Sequence, residues 1–378
     1  MKQYSLFIHL MLSVLLLSAC GGRSKTSSAS ITEEAIPLRY AENLSLSATE
    51  DYTIARLRNP WDTTRILHTY VLVDKEKSLP ADLPEGTLVR TPLSKAVVYS
   101  SVHCGLLNQI GALKSIGGVC DLKYIKLQEV QDGCRTGSIA DVGDGMNPDI
   151  EKMIDLHPDA IMLSPFENSG GYGRVEKLNI PIIECADYME TSALGRAEWT
   201  RFYGLLFGRT QQADSLFAEV EKNYQELKAL VGPLSSAPSV ISELKNGSAW
   251  YVPGGKSTSA QLYADAGANY VFAADEHSGS VPLAFETVFD KGQNADFWLI
   301  KYNQAIDKTY KELKQDYAPY AGFRAYKERK IYGCNTNKVS LYEDYPFHPD
   351  WLLKDLIKIF HPTLLEGYEL KYFTKLAE

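Results

Sequence analysis

Thr210 to Val231 reads TQQADSLFAEVEKNYQELKALV, and its apolar residues Ala213, Leu216, Phe217, Val220, Tyr224, Leu227 and Val231 step by three and four. That period is one face of an α-helix. Thr210 is placed to cap the start, and Gly232-Pro233 to stop it. At 1.5 Å per residue such a helix spans about 30 Å, the width of a small domain, so it is long enough to run from one globular half to another.

On its N-terminal side, Leu93 to Gly208 cycles between short apolar runs and helical periodicity: Ala96-Val97-Val98-Tyr99-Ser100, Gly105 to Leu113, Asp159-Ala160-Ile161-Met162-Leu163, then Ile180-Pro181-Ile182-Ile183. Continuous runs of this kind are strands buried on both faces, and their alternation with helices predicts an α/β lobe with a mainly parallel sheet. After Pro238 the cycle resumes. Ser239 to Leu244, Ala295 to Ile300 and Lys330-Ile331-Tyr332 read as strands; Ser259 to Ala266, Lys308 to Tyr326 and Pro349 to Phe360 read as helices. Ahead of both lobes, Tyr52 to Leu57 and Ile66 to Val73 alternate in strand fashion around the turn Asn59-Pro60-Trp61-Asp62, a β-hairpin leading into the first lobe. The expected organisation is a β-rich extension over 40–92, a first α/β lobe over 93–209, the joining helix over 210–231 and a second α/β lobe over 232–378.

The chain of 378 residues, 45% hydrophobic and 23% charged, has a globular composition and room for two or three domains. Thirty-nine basic against forty-seven acidic side chains give a net charge of −8, with no Lys/Arg-rich stripe to neutralise phosphates. Nucleic acid does not fit as a partner. The 23 tyrosines outnumber the 13 phenylalanines, as suits partly wet surfaces that stack flat ligands.

The first residues supply an address. Leu6 to Leu17 is apolar but for His9 and Ser13, too short for a membrane span and suited to a secretory signal over 1–19. Leu17-Ser18-Ala19-Cys20 resembles a bacterial lipobox, which implies diacylation of Cys20, cleavage before it, and a flexible tether over 20–39 that opens Gly21-Gly22-Arg23-Ser24-Lys25. Two acyl chains give stable anchoring, so a soluble body would be held at a membrane surface. Cys104, Cys120, Cys134, Cys185 and Cys334 remain, an odd number without a C-x-x-C, so at least one is free and neither a zinc nor a redox motif is indicated.

Two stretches carry a family resemblance. Val97-Val98-Tyr99-Ser100-Ser101 stands before Leu106-Leu107-Asn108-Gln109-Ile110-Gly111-Ala112, and Asp149-Ile150-Glu151-Lys152-Met153-Ile154-Asp155-Leu156-His157-Pro158-Asp159-Ala160-Ile161-Met162 is similar to an N-x-E-x-I-x-x-L-x-P-D-x-[IV] helix-to-strand signature. From Leu93 to the C-terminal helix the chain resembles the substrate-binding lipoproteins of ABC importers for iron chelates and vitamin B12. The early hairpin resembles an extension of Bacteroidetes-type members. The resemblance implies two lobes joined by one rigid helix, a ligand in the cleft between them, and delivery to an inner-membrane permease by a monomer that is not an enzyme and carries no cofactor of its own. It also implies one permease-docking Glu per lobe, Glu151 and, in Val281-Pro282-Leu283-Ala284-Phe285-Glu286-Thr287-Val288, Glu286. A solvent-facing helix Glu without a partner is the plainer reading of each.

Ligand-binding candidates sit on expected strand-end loops: Ser101 and His103, Tyr124, Gly143 and Asp144 in the first lobe; Trp250, Tyr251, Lys256, Leu283, Tyr342, Tyr345 and Phe347 in the second. Aromatic walls with a few polar anchors suit a ferric siderophore, haem or cobalamin, although Gly143 stands where the vitamin B12 binder has a tryptophan. His103 is a candidate axial ligand to a haem iron or corrinoid cobalt, with a structural role as the alternative. Gly254-Gly255-Lys256-Ser257-Thr258 lacks the first glycine of a phosphate loop, since Trp250 occupies that position. H-E-x-x-H, G-x-S-x-G and S-x-x-K are missing, and Gly170-Gly171-Tyr172-Gly173 reads as an ordinary glycine turn. A surface enzyme or adhesin on the same fold is the competing expectation.

Overall fold

The computed structural model describes residues 33–167, 171–232 and 234–378. Residues 1–19, Cys20 and most of the expected tether lie outside the described residues. The helix Thr210–Val231 is present over its whole expected length. Its start differs in detail: Arg209 occupies the cap position with no side-chain cap bond, and Thr210 is the first helical residue. The chain turns into it through Gly208, which ends the preceding helix Thr200–Phe207 at φ 62, a left-handed conformation that costs glycine little. The two helices cross closely: a Cβ on Gly204 would stand 2.4 Å from the Ala213 Cβ.

The burial of this helix explains what it does. Ala213 belongs to one hydrophobic core, whereas Phe217, Val220, Tyr224 and Val231 belong to another. Tyr224 Oη donates to Asp265 Oδ2 at 2.7 Å and Lys228 pairs with Asp265 at 2.7 Å, fastening the strut to the helix Thr258–Asp265.

The first core lies under two sheets. The N-terminal sheet has five strands in the order β1-β2-β3-β4-β5: β1 (Glu34–Ile36), β2 (Leu44–Ala48), β3 (Thr53–Arg58), β4 (Ile66–Asp74) and β5 (Thr87–Thr91). The expected hairpin is the antiparallel pair β3 and β4. It is one part of a larger sheet whose Leu44, Leu46, Leu57, Tyr70, Leu72 and Val89 share the first-lobe core. The expectation of a flexible tether through residue 39 is corrected here. Glu34–Ile36 pairs with β2, and the buried Glu198 carboxylate accepts the backbone amides of Arg39, Tyr40 and Ala41 at 2.8 to 3.0 Å. No periodicity in that segment announces a partner 160 residues away.

The first α/β sheet is parallel, in the order β12-β11-β6-β7-β8, from β6 (Ala96–Val98), β7 (Ile116–Val119), β8 (Ala140–Asp141), β11 (Ala160–Leu163) and β12 (Ile182–Glu184); β9 (Gly143–Asp144) and β10 (Asn147–Pro148) form a small antiparallel ladder. The second sheet, β16-β13-β18-β19-β20, is parallel except for its last strand: β13 (Ser239–Ser242), β16 (Asn269–Tyr270), β18 (Phe297–Tyr302), β19 (Ile331–Asn335) and β20 (Thr374–Lys375). Beside it β14 (Lys245–Asn246), β15 (Ala249–Pro253) and β17 (Ser280–Leu283) form an antiparallel sheet. The expected helix from Lys308 to Tyr326 is divided into Tyr310–Asp316 and Arg324–Lys327 around a 3-10 turn carrying Pro319, whose missing N–H and ring forbid continuation.

The strut is not the sole tie between the lobes. The helix Leu341–Asp344 of the second lobe lies on Ser101–Gln109 of the first, and His348 Nε2 lies 3.0 Å from Gln109 Oε1. Gly204→Ala should force the crossing helices apart and cost about 1–3 kcal/mol, read by urea denaturation. Leu230→Ala, on the strut's 42% exposed side chain, should cost less than about 0.5 kcal/mol.

Candidate functional site

Parallel sheets bind ligands at the carboxyl ends of their strands, because the loops there are free to vary while the strands stay packed. Both lobes have a cavity at that end. In the first, Tyr99 and Ser100 after β6, Asp121 after β7, and Ser164 and Phe166 after β11 line a cavity of about 530 Å³, closed by Gly145 to Pro148 and by Tyr172 and Arg174. Its surface is mainly apolar, with Met146 85% and Phe166 50% exposed. The Tyr172 hydroxyl donates to Glu184 Oε1 at 2.6 Å. Burial, and then that carboxylate, hold the phenol above its ordinary pKa and so protonated.

In the second lobe Tyr251, Ser257 to Ser259, Ser278 to Ser280 and Tyr342 line a polar cavity of about 370 Å³, with Glu243 after β13 and Lys301 in β18 at its floor. Lys301 Nζ and Glu243 Oε1 are 2.6 Å apart. Burial opposes the ammonium, but the Glu243 carboxylate and the Tyr263 hydroxyl together outweigh it and raise the lysine's pKa, so Lys301 stays charged. Behind it a pocket of about 50 Å³ is walled by Tyr342, Tyr345 and Tyr263.

The strand-end loops of the two lobes touch. Lys126, from the loop following β7, donates to Thr336 O and to Val339 O beyond β19, the latter at 3.2 Å. Thr258 Oγ1 donates to Glu190 O at 3.3 Å, and the Arg196 guanidinium reaches the Tyr345 hydroxyl at 3.3 Å.

Of the residues expected from the sequence, Tyr251 and Tyr342 line the second-lobe cavity and Tyr345 the pocket behind it. Ser101 begins a helix whose cap, Ser100, is the residue at the cavity. Gly143 and Asp144 stand just outside the wall; Asp144 Oδ1 accepts from Met146 N at 2.8 Å and so shapes the turn that lines it. Tyr124 is 64% exposed under the Lys123 ammonium, and Lys256 pairs with Glu276 at 2.6 Å; neither lines a cavity. Leu283 packs on the second core. Glu151 and Glu286 are exposed, each in the first turn of its helix.

Three expectations are corrected by burial. Trp250 is fully buried, stacked on Trp298 with its Nε1 donating to Ser242 O at 3.0 Å; strand alternation turns Tyr251 outward and Trp250 inward. Phe347 lies in the first-lobe core, against His103. His103 is 3% exposed and belongs to a buried network: its Nε2 is 2.9 Å from Asp187 Oδ1, Tyr203 Oη donates to the same oxygen at 2.7 Å, and Arg196 Nε donates to Asp187 Oδ2 at 3.0 Å. Such a histidine is not free to ligate a chelate. Burial opposes its charge, but the Cys185 sulfur and the Asp187 carboxylate outweigh it and raise the pKa to about 10.

Sequence reasoning passed over Tyr99, Phe166, Tyr172 and Arg174, although Ser164-Pro165-Phe166 directly follows an expected strand and marked a strand-end loop. Cys104, Cys120, Cys134, Cys185 and Cys334 are all free thiols. Among the described residues no group of three or more His, Cys, Asp or Glu could hold a metal ion.

A family model described as periplasmic binding protein matches residues 96–337. An uncharacterized lipoprotein of Methanocaldococcus jannaschii is 24% identical over 89% of this chain and 85% of its own length. A second from the same organism is 24% identical over 90% and 86%. Among solved structures, a periplasmic haem-binding protein of Pseudomonas aeruginosa superposes with a TM-score of 0.59 at 14% identity, covering 76% of this chain and 99% of that one. A molybdate periplasmic binding protein of Haemophilus influenzae, solved with molybdate, gives 0.57 at 20% identity, covering 75% and 90%. At these identities the likeness is one of fold: two α/β lobes with a long helix.

Because the folded pKa of His103 lies near 10 against an ordinary 6.5, its ion pair stabilises fully below pH 6.5, and that contribution is lost as pH rises through 10. The melting temperature of the unaltered protein should therefore exceed that of His103→Gln at pH 6, and the gap should narrow steadily to pH 10. A gap constant with pH would assign His103 a packing role alone.

Proposed function

The chain belongs to the periplasmic binding protein family, and on that premise we propose that it is a lipid-anchored receptor that captures a metal chelate between its lobes and hands it to an ABC permease. The observation that carries the reading is the pair of strand-end cavities, one largely apolar and aromatic, one polar and rich in hydroxyls, on lobes whose strand-end loops touch. Their sizes, about 530 and 370 Å³, suit the two halves of a large flat ligand. Neither cavity is lined by histidine or cysteine. The favoured cargo is therefore a chelate whose metal is already coordinated, a ferric siderophore, haem or cobalamin, held by stacking and hydrogen bonds.

The lipobox-like Leu17-Ser18-Ala19-Cys20 and the lipoprotein names of the curated relatives support anchoring at Cys20. Among the described residues no helix is long and apolar enough to cross a membrane. Glu151 and Glu286 support docking by an equivalence between the lobes. Each is the second residue of a helix, Ile150–Leu156 or Phe285–Gly292, and each of these helices leads directly into a parallel strand, β11 or β18. Exposed charges in matched positions on two lobes joined by a stiff helix present a fixed spacing to a partner, which sets orientation and encounter rate more than affinity.

Titration of the purified protein with haemin, cyanocobalamin and ferric siderophores should quench tryptophan emission saturably for one of these classes, since Trp250 adjoins cavity-lining Tyr251 in β15 and Trp298 Nε1 donates to the backbone oxygen of cavity-lining Glu243. No saturation with any of them would sink the reading. Charge reversal of Glu151 and Glu286 to Lys should abolish cellular uptake of the bound chelate while leaving its affinity within about twofold, as expected for groups outside the binding site. Intact uptake in the double variant would favour a surface enzyme or adhesin on the same fold.

A further inference from the structure

The N-terminal sheet lies outside the residues matched by the family model, yet it reaches the wall of the first-lobe cavity. Glu184, at the carboxyl end of the edge strand β12, is 8% exposed. One of its oxygens accepts from the Tyr172 hydroxyl at 2.6 Å. The other lies 3.1 Å from Nδ1 of His68 in β4. The backbone N–H of Glu184 donates to the Tyr70 hydroxyl at 2.8 Å, and that hydroxyl donates to Ile182 O at 3.0 Å. The His68 ring is itself fixed: it stacks on Tyr70 with centroids 4.3 Å apart, and its Nε2 is 2.8 Å from Thr87 Oγ1 of β5.

We infer that the added sheet is a working part of the ligand site: His68, clamped by Tyr70 and Thr87, holds the Glu184 carboxylate in one orientation, and Glu184 thereby aims the Tyr172 ring and hydroxyl in the cavity wall. His68 and Glu184 are positioning residues; Tyr172 is the one that meets the ligand. The physical reason lies in the second carboxylate oxygen. It is buried and accepts no hydrogen bond, and the imidazole nitrogen 3.1 Å away is the polar group it faces, so without His68 the carboxylate turns toward water and releases the tyrosine. A planar aromatic wall is useful to a flat ligand only while its tilt is fixed. The inference rests on the first-lobe cavity being the ligand site.

The test places 3-fluorotyrosine at position 172 alone and reads its fluorine resonance in the ligand-free full-length protein, beside a haemin titration. His68→Phe should move or broaden the resonance and weaken haemin binding by about fivefold, as for one lost polar contact. His68→Gln, whose polar amide can face the same Glu184 oxygen, should restore both. In a Tyr172→Phe background, His68→Phe should weaken haemin binding no further. An unmoved resonance in folded His68→Phe protein, or the full loss of binding persisting without the Tyr172 hydroxyl, would overturn the inference. If the unaltered protein fails to saturate with haemin, the reading of haem as cargo fails, and the resonance alone decides the positioning role: movement upholds it, constancy ends it.

Discussion

A helix whose first turn is buried in one hydrophobic core and whose remainder is buried in another cannot bend without unpacking one of them. This is the condition of Thr210–Val231, with Ala213 seated against Gly204 in the first lobe and Phe217, Val220, Tyr224 and Val231 committed to the second. Protein interiors are packed like organic crystals, so even small displacements along such a face are opposed. The relative placement of the two sheets, and with it the spacing of their strand-end cavities, follows from this one double commitment.

Direct contacts between the lobes reinforce it. Phe347 crosses from the second lobe into the first-lobe core, and His103, Asp187, Tyr203 and Arg196 form a buried charged network that reaches Tyr345 on the other side. Buried charges of this kind tolerate little movement, because separating any pair leaves an ion without solvent or partner. A receptor built this way suits small adjustments around its ligand better than wide closure. The two cavities divide the chemistry: apolar, aromatic surface in the first lobe, and hydroxyl groups with an internal Lys301–Glu243 pair in the second.

The N-terminal sheet is no appendage. Its apolar face completes the first-lobe core, Glu190 and Glu198 gather the backbone amides of residues 39–43, and His68 touches the carboxylate behind Tyr172. In the sequence this region shows as a hairpin and a turn. Its larger role depends on carboxylates about 120 to 160 positions further on, which local alternation cannot signal.

What the sequence determined by itself is whatever depends on local periodicity: the long helix to the residue at its end, the strands β6, β11, β12, β13, β18 and β19, and the helix Pro349–Phe360, whereas β7 and the shortest strands show no such period. Each of the former rests on neighbours three or four places away, or on alternating faces of one strand. Only the tertiary structure decided which aromatics are walls and which are core. Trp250 and Tyr251 are adjacent and point to opposite sides of one strand, and Phe347, two residues from cavity-lining Tyr345, is claimed by the other lobe. Composition is the same for a ring that packs and a ring that waits for a ligand. The difference is whether another part of the chain arrives to cover it, and that is set by the meeting of segments hundreds of residues apart.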